Sequence, residues 1–262
     1  LEVHGIKASV TVQDNPFLPT YADKFPVFIF HRVLYTPSVA RLIERIKSQN
    51  KEIIFDTDDL VYDAEFLQHM DYFTQMNALE RKLYENGVGG EILADPYVKV
   101  CTASTTFLAD KLREKGKRVF LVRNRVSRED VERAETILRE VKKDASAIRV
   151  AYLSGTPSHN KDFATIIPAL RTLFERYPSW HLVLVGPIDT DNQLHAFSDR
   201  IEQVPFLPRA KYFAAVAEMD ITLAPLEIGN PFCEGKSELK WFEAGLVGVP
   251  TVAAATGTFK EA

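Results

Sequence analysis

The stretch "NPFCEGKSELKWFEAGLVGVPTVAAA", residues 230–255, predicts a loop, an amphipathic helix, a tight turn and a strand in direct succession. Ser237 is the predicted N-cap of the helix. Leu239 and Phe242 then fall on one face, and Glu243 falls among the apolar residues of that face. Burying a carboxylate without a partner is costly. Glu243 is therefore expected either to reach solvent at the edge of this apolar face or to bind a specific partner.

Short apolar strands alternate with amphipathic helices along the rest of the chain. Predicted strands are 6–12, 26–32, 51–59, 98–104, 118–124, 148–155, 181–187, 203–208, 220–226 and 250–255. Predicted helices are 36–50, most of 65–91, 105–116, 127–145, 162–178, one near 191–200, and 210–219. This alternation is typical of parallel sheets wrapped in helices.

The pattern predicts two domains joined by a charged segment. Residues 1–125 form the first Rossmann-like domain, 126–147 a charged helical connection exposed to solvent, and 148–262 the second Rossmann-like domain. The first domain lacks an opening strand and the second lacks closing elements, so both ends are expected to be incomplete. The predicted fold class is therefore α/β, with two doubly wound parallel-sheet domains.

Composition excludes several classes of protein. The chain has 46% hydrophobic residues, enough for real cores, and a net charge of −4, which gives no footprint for nucleic acid. Its two cysteines, Cys101 and Cys233, have no metal-binding spacing and suit a reducing compartment. Neither a run of about 18 apolar residues nor a signal peptide is present, so the expected location is cytoplasmic.

Ligands of open parallel sheets bind at the carboxyl ends of the strands, which directs attention to the loops of the second domain. The small residues Ser154, Gly155 and Thr156 follow one strand, and Lys161 precedes the next helix. Small residues allow backbone N–H groups to approach an anion, to which a lysine adds positive potential. Gly186 permits close approach at a second strand end, and Phe206 offers a ring for planar stacking.

The helix at 237–246 offers complementary chemistry. Lys236 and Ser237 are anion-friendly residues at its start, and Glu243 can accept both hydroxyl protons of a ribose diol. Together with Lys161, these residues suit a nucleoside diphosphate.

Several segments resemble retaining glycosyltransferases of the GT-B fold, family 4 in particular. The strongest is "GKSELKWFEAGLVGVPTVAA" (235–254), which resembles the family's donor-binding helix. "LSGTPSHNKDF" (153–163) and "DITLAPL" (220–226) resemble other donor-domain segments, and "IIFDTDDL" (53–60) and "PYVKVCTAST" (96–105) resemble acceptor-side ones. The resemblance implies that the two domains face each other across a cleft.

By this resemblance Glu243 binds the ribose of a sugar nucleotide and Lys161 contacts its diphosphate. Lys236 and Ser237 lie at the phosphates or the sugar, and Phe206 lies beside the base. The sequence departs from the family at Gly235, where a sugar-facing glutamate is usual, and Glu234 is the candidate substitute. It departs again at 154–156, where the family usually has an arginine.

The implied activity is transfer of a glycosyl group from a nucleotide-diphosphate sugar to an acceptor hydroxyl, with retention of anomeric configuration. The resemblance implies a role in polysaccharide or glycoconjugate synthesis, with neither cofactor nor metal. A glycan or a lipid-linked acceptor is expected, and the latter would bring the protein to the inner face of a membrane. Acceptor-side candidates at strand ends are Arg32, Asp58, Asp59, Thr102 and Ser104.

Three alternatives stay open at this point. A non-catalytic nucleotide-sugar-binding module would keep the fold without turnover. A haloacid dehalogenase-like, Mg²⁺-dependent phosphatase would use Asp56 and Asp58 as nucleophile and acid. The same two aspartates would hold Mn²⁺ in a GT-A glycosyltransferase, a fold that leaves the second half of the chain unexplained.

Overall fold

A computed structural model of the chain describes residues 4–70, 73, 76–143, 146–156, 159–190 and 192–262. The chain divides into two compact units. One unit consists of Leu1–Leu67 and Met76–Val122, and the other of Gln68–Gln75 and Arg123–Ala262. Within the described residues, no helix is both long and apolar enough to span a bilayer.

The first unit is a parallel sheet with helices between its strands. Its strands are β1 (Val27–His31), β2 (Glu52–Thr57), β3 (Val100–Ala103) and β4 (Arg118–Leu121), paired in the order β1-β2-β3-β4. Its helices are α1 (Pro37–Ser48), α2 (Ala78–Leu83), α3 (Gly90–Ala94) and α4 (Thr106–Glu114). Thr36 and Thr105 cap α1 and α4 by accepting a backbone N–H, which fixes where each helix starts. Short 3₁₀ helices lie at Leu18–Asp23, Leu60–Tyr62 and Leu67–His69.

The second unit is a parallel sheet with the order β7-β6-β5-β8-β9. Its strands are β5 (Ile148–Leu153), β6 (Trp180–Val185), β7 (Ile201–Val204), β8 (Ile221–Ala224) and β9 (Thr251–Ala253). Its helices are α5 (Arg128–Glu140), α6 (Asn160–Ala164), α7 (Ile167–Arg176), α8 (Arg209–Ala217), α9 (Pro231–Glu234), α10 (Leu239–Leu246) and α11 (Gly257–Glu261). A 3₁₀ helix occupies His195–Arg200.

Alternate side chains of the central strands of the second unit pack in two hydrophobic cores, one on each face of the sheet. Ala151 and Leu153 of β5 pack in the core covered by α5, α8 and α10. Tyr152 packs on the other face, where Phe163 and Phe174 belong to α6 and α7. Both faces are covered, so β5 and β6 end in four consecutive buried apolar residues each, 150–153 and 182–185.

Three predicted elements are wrong or shorter than expected. Residues 6–12 form no strand among the described residues, and Val10 is 98% exposed, since no neighbouring strand pairs with this segment. The predicted long helix at 65–91 is replaced by short helices, and Gly87 and Gly89, whose positive φ angles a helix excludes, separate α2 from α3. Four residues of that stretch, 71, 72, 74 and 75, lie outside the described residues. The helix predicted at 162–178 is divided into α6 and α7, with Pro168 in the first turn of α7.

The charged segment predicted as a solvent-exposed connection contains α5, which is part of the second unit. Ser127 and Asp130 form a capping box at its start, with Asp130 N–H donating to Ser127 Oγ at 3.0 Å. Ala134 is buried in the core shared with α8. The helix therefore stabilises the sheet face on which α8 and α10 also pack.

Candidate functional site

The strand order of the second unit places its topological switch point between β5 and β8. From β5 the chain continues to one side through β6 and β7, then returns to the other side through β8 and β9. Loops diverge at such a point and leave a crevice at the carboxyl ends of the strands. The loop after β5 begins at Ser154, and the segment between β8 and α10 runs through 225–238.

The loop after β5 is held tightly against its neighbours. Ser154 Oγ donates to the carbonyl of Thr156 at 2.8 Å. Gly186 has a φ of +96°, and a Cβ at that position would lie 1.8 Å from the carbonyl oxygen of Ser154. A Cβ on Gly155 would meet the Phe206 ring at 3.6 Å. The structure thus brings these five predicted residues together, and their contact with a ligand stays a prediction.

The segment between β8 and α10 corrects one local prediction. Helix α10 begins at Leu239 with Glu238 as its N-cap, so Ser237 is not the cap. Asn124 Nδ2 instead donates to Ser237 Oγ at 2.8 Å, a long-range bond that no local pattern encodes. Glu234 accepts the backbone N–H groups of Gly229 at 3.3 Å and Gly257 at 3.1 Å. Its carboxylate therefore joins two backbone turns, and its proposed contact with a sugar is untested.

Glu243 is buried, with 4% of the residue exposed, and it meets a specific partner within the protein. Arg209, at the start of α8, donates from Nη1 to Glu243 Oε1. The same guanidinium donates from Nη2 to Asp130 Oδ2 at 2.9 Å. Burial and the neighbouring Glu243 raise the pKa of Tyr212. The ion pair with Arg209 of α8 therefore compensates for burial of the Glu243 carboxylate on the apolar face of α10. The contact of Glu243 with a ribose stays a prediction.

Lys240 was not among the residues predicted from the sequence, yet the structure gives it an unusual environment. Its Nζ lies over the Tyr152 ring, 4.6 Å from the centroid. Among the described residues, no carboxylate or carbonyl bonds to this ammonium. Burial lowers its pKa to about 8, and the nearby Lys236 acts in the same direction, against the carboxylates of Asp162 and Glu243.

A spacing signal exists for Lys240 in the sequence. It lies three residues before Glu243, so α10 places these two on neighbouring positions of one side, and Lys236 precedes the helix four residues earlier. A half-buried ammonium that bonds no carboxylate among the described residues, near a second lysine and a helix N-terminus, is arranged to bind an anion. Lys161, by contrast, is exposed on α6, and its proposed diphosphate contact is untested.

A polar cluster lies under the loop after β5. His159 Nδ1 lies 2.8 Å from Asp162 Oδ2, and Cys233 Sγ donates to Asp162 Oδ1 at 3.2 Å. Burial alone would raise the pKa of Asp162, but these bonds hold it below its usual value. Among the described residues, Asp162, Glu227 and Cys233 are the group whose ligand atoms are close enough to hold a metal ion. Since Asp162 already accepts three hydrogen bonds, the third from the Glu227 N–H, a structural role explains the cluster.

The candidate acceptor-side residues lie at the carboxyl ends of strands in the first unit. Arg32 adopts a φ of +49° and donates from Nε to Asp58 Oδ1 at 2.6 Å. Asp59 accepts the Leu60 N–H at 2.9 Å and so caps a 3₁₀ turn. Ser104 is buried, and among the described residues its hydroxyl has no hydrogen-bond partner. Their contact with an acceptor stays a prediction.

His31 is a residue that the sequence analysis did not single out. Its Nδ1 lies 2.8 Å from Asp56 Oδ2, and Thr102 Oγ1 donates to the other oxygen of the same carboxylate. Within the described residues, Asp56 and Asp58 are not part of any three-ligand group that could hold a metal ion. This geometry gives no support to the phosphatase or GT-A alternatives, both of which require a metal beside these aspartates.

No protein-family profile and no curated protein sequence matches this chain. Solved structures do. The structure of Anabaena Alr3699/HepE in complex with UDP and glucose matches with a TM-score of 0.56 and 15% identity, over 100% of this chain and 71% of that one. TarM matches with a TM-score of 0.56 and 8% identity, over 92% of this chain and 44% of that one.

Trehalose-6-phosphate synthase OtsA matches with a TM-score of 0.52 and 10% identity, over 90% of this chain. The present chain spans 60% of the length of that synthase. Likeness at this level of identity concerns the fold alone. It confirms the predicted fold class, an α/β protein of the GT-B type built from two Rossmann-like parallel-sheet domains.

Proposed function

We propose that the second unit binds a nucleoside-diphosphate sugar and that the protein transfers the glycosyl group to an acceptor hydroxyl. The observation that carries this proposal is Lys240, a half-buried ammonium without a carboxylate partner among the described residues, one helical turn from the buried carboxylate of Glu243. A diphosphate supplies the missing anion and a ribose diol supplies donors for the carboxylate. One ligand therefore satisfies both groups.

The similar structures support this choice of ligand. HepE is described in complex with UDP and glucose, and trehalose-6-phosphate synthase from E. coli is described bound with UDP-2-fluoro glucose. In the present chain, the loop 154–156 and Gly186 border the proposed diphosphate position, with Phe206 beside the base. Lys161 and Ser237 contact the phosphates, and Glu234 lies on the sugar side.

In the proposed reaction, the bond between the anomeric carbon and the diphosphate oxygen breaks as the bond to the acceptor oxygen forms. Lys236, Lys240 and the N-terminus of α10 stabilise the departing diphosphate. The acceptor oxygen approaches the face from which the diphosphate leaves, and its proton passes to a leaving phosphate oxygen, so the configuration is retained without a covalent enzyme intermediate. The proposed reaction uses neither a bound metal ion nor a cofactor. It is a reaction of the hexosyltransferase class.

The acceptor-side residues of the first unit complete the proposal. Arg32, Asp58, Asp59, Thr102 and Ser104 would contact a glycan or a lipid-linked acceptor, and His31 joins them through Asp56. The process that we propose for this reaction is polysaccharide or glycoconjugate synthesis, at a cytoplasmic site beside a membrane.

The proposal is tested by titrating the protein with UDP, GDP, ADP and dTDP in a calorimeter, without metal. We expect one of them to bind in the micromolar range. The Glu243→Ala variant should weaken that binding by about 2 kcal/mol, because charged hydrogen bonds to the ligand are lost.

A folded protein that binds none of the four nucleotides would refute the donor site. Incubation with the corresponding nucleotide sugar then separates an enzyme from a non-catalytic binding module. Release of nucleoside diphosphate from that sugar indicates turnover, whereas binding without release favours the module.

The pKa of Lys240 sets a pH dependence for the same titration. Its ammonium is charged below a pKa of about 8, and an anionic ligand binds the charged form. Nucleotide affinity should therefore fall as the pH rises through 8, by up to about tenfold per pH unit above it. The Lys240→Arg variant keeps its charge and should bind with an affinity that does not change between pH 7 and 9. An equal decline in both proteins would assign the effect to another group.

A further inference from the structure

We propose that Arg209 is a positioning residue that orients the Glu243 carboxylate toward a ribose diol, and that it thereby restricts the site to ribonucleotides. The inference rests on the proposed function, because it assigns the ribose end of that donor site. It is carried by two ion pairs that link α5, α8 and α10 of the second unit, in which the Asp130 and Glu243 carboxylates are buried while the Arg209 side chain is 49% exposed.

Arg209 is held from two sides. Its Nη2 and Nε donate to the two oxygens of Asp130, at 2.9 Å and 3.3 Å, while Nη1 donates to Glu243. Its guanidinium also lies 4.8 Å from the centroid of the Phe213 ring. A planar guanidinium with fixed donors can satisfy both carboxylates only in one orientation.

Asp130 anchors this arrangement to the backbone. Besides its bonds to Arg209, its carboxylate accepts the N–H of Ser127 in the capping box of α5. The bond from Arg209 is the main reason that the pKa of Asp130 lies below its usual range. Because the carboxylate is ionised and tied to a helix terminus, it cannot follow Glu243 if that side chain rotates.

Glu243 is fixed as a consequence. Its side chain is 5% exposed, Arg209 donates to Oε1, and Tyr212 also makes a side-chain hydrogen bond to this carboxylate. Tyr212 adds a second neighbour, whose pKa is raised by burial and by Glu243. A carboxylate oriented before binding accepts two hydroxyl donors without reorganisation. A deoxyribose, which lacks one of these donors, leaves a buried acceptor unpaired.

The test compares binding of UDP with binding of its 2′-deoxy and 3′-deoxy forms, or the matching set for whichever base binds tightest. In the unmodified protein we expect at least one deoxy form to bind roughly tenfold more weakly. In Arg209→Met this preference should shrink to about twofold or less, while binding of inorganic pyrophosphate is unchanged. Arg209→Lys keeps a cation beside both carboxylates, should fold, and should show an intermediate preference.

Arg200 provides a matched control in the same unit. It donates to the carbonyls of Phe174, Tyr177 and Pro178 and lies over two aromatic rings, without contacting Glu243. Arg200→Met should lower stability and leave the ribose preference intact. An unchanged preference in folded Arg209→Lys, or no preference in the unmodified protein, would overturn the inference while leaving nucleotide binding valid. Absence of nucleotide binding altogether would remove the proposed function itself.

Discussion

Replacement of Lys240 by methionine is expected to weaken nucleoside-diphosphate binding about a hundredfold and to raise the free energy of unfolding by roughly 1 kcal/mol. Binding falls because the ammonium is the group placed to meet the diphosphate, and a charged hydrogen bond in a half-buried site is strong. Stability rises because methionine has a similar length and does not bring an uncompensated charge near the core. The opposite signs distinguish a binding residue from a structural one.

Calorimetry with the tightest nucleotide and urea unfolding measure the two effects. The control is Lys211→Met, which removes an exposed lysine from α8 and should change neither quantity noticeably. If Lys240→Met lowered stability and left affinity unchanged, Lys240 would be a packing residue resting on the Tyr152 ring. The anion-binding assignment of the switch point would then be wrong.

Substitution of Gly186 by alanine is expected to destabilise the second unit by at least about 3 kcal/mol. The new Cβ would lie 1.8 Å from the carbonyl oxygen of Ser154, and the backbone at φ +96° disfavours any side chain. Neither atom can move cheaply, since Gly186 N–H bonds the Val204 carbonyl and Ser154 N–H bonds the Val185 carbonyl, each at 2.9 Å. The collision therefore distorts the loop that borders the proposed diphosphate.

Gly245 offers the matched comparison for denaturant unfolding. It lies within α10, and no atom is found within 4 Å of the Cβ that alanine would add. Gly245→Ala should stabilise the protein by about 0.5–1 kcal/mol, because alanine loses less conformational entropy in a helix. Equal effects of the two substitutions would mean that the close approach at Gly186 does not exist.

Periodicity alone predicts most of the two sheets. Strands such as β2 and β6 are short apolar runs bounded by turns. The start of helix α1 is marked by its N-cap Thr36 and by Pro37 directly after it. These signals depend only on residues close together in the sequence, so they can be recognised without knowledge of the tertiary contacts. The segment 6–12 shows the limit of this reasoning, because its alternation of residues resembles a strand yet no partner strand lies beside it.

The candidate site divides in the same way. Glycine and small residues in the loops after β5 and β6 indicate close backbone approach, which is a local property, and the structure brings Ser154, Gly186 and Phe206 together. The partners of Glu243 come from elsewhere in the chain. Asp130 lies 79 residues before Arg209, and Arg209 lies 34 residues before Glu243. Sequence spacing carries no information about such pairs.

The sequence by itself determined where the chain can form parallel βα units and which loops have residues suited to an anion and a diol. Those properties follow from side-chain size, backbone freedom and hydrophobic period, each of which acts over a few residues. Only the tertiary structure decided that Lys240 lacks a counter-ion among the described residues, while Glu243 has one in Arg209. Burial and ion pairing depend on which helices pack on the same face of the sheet, and the order β7-β6-β5-β8-β9 fixes that packing.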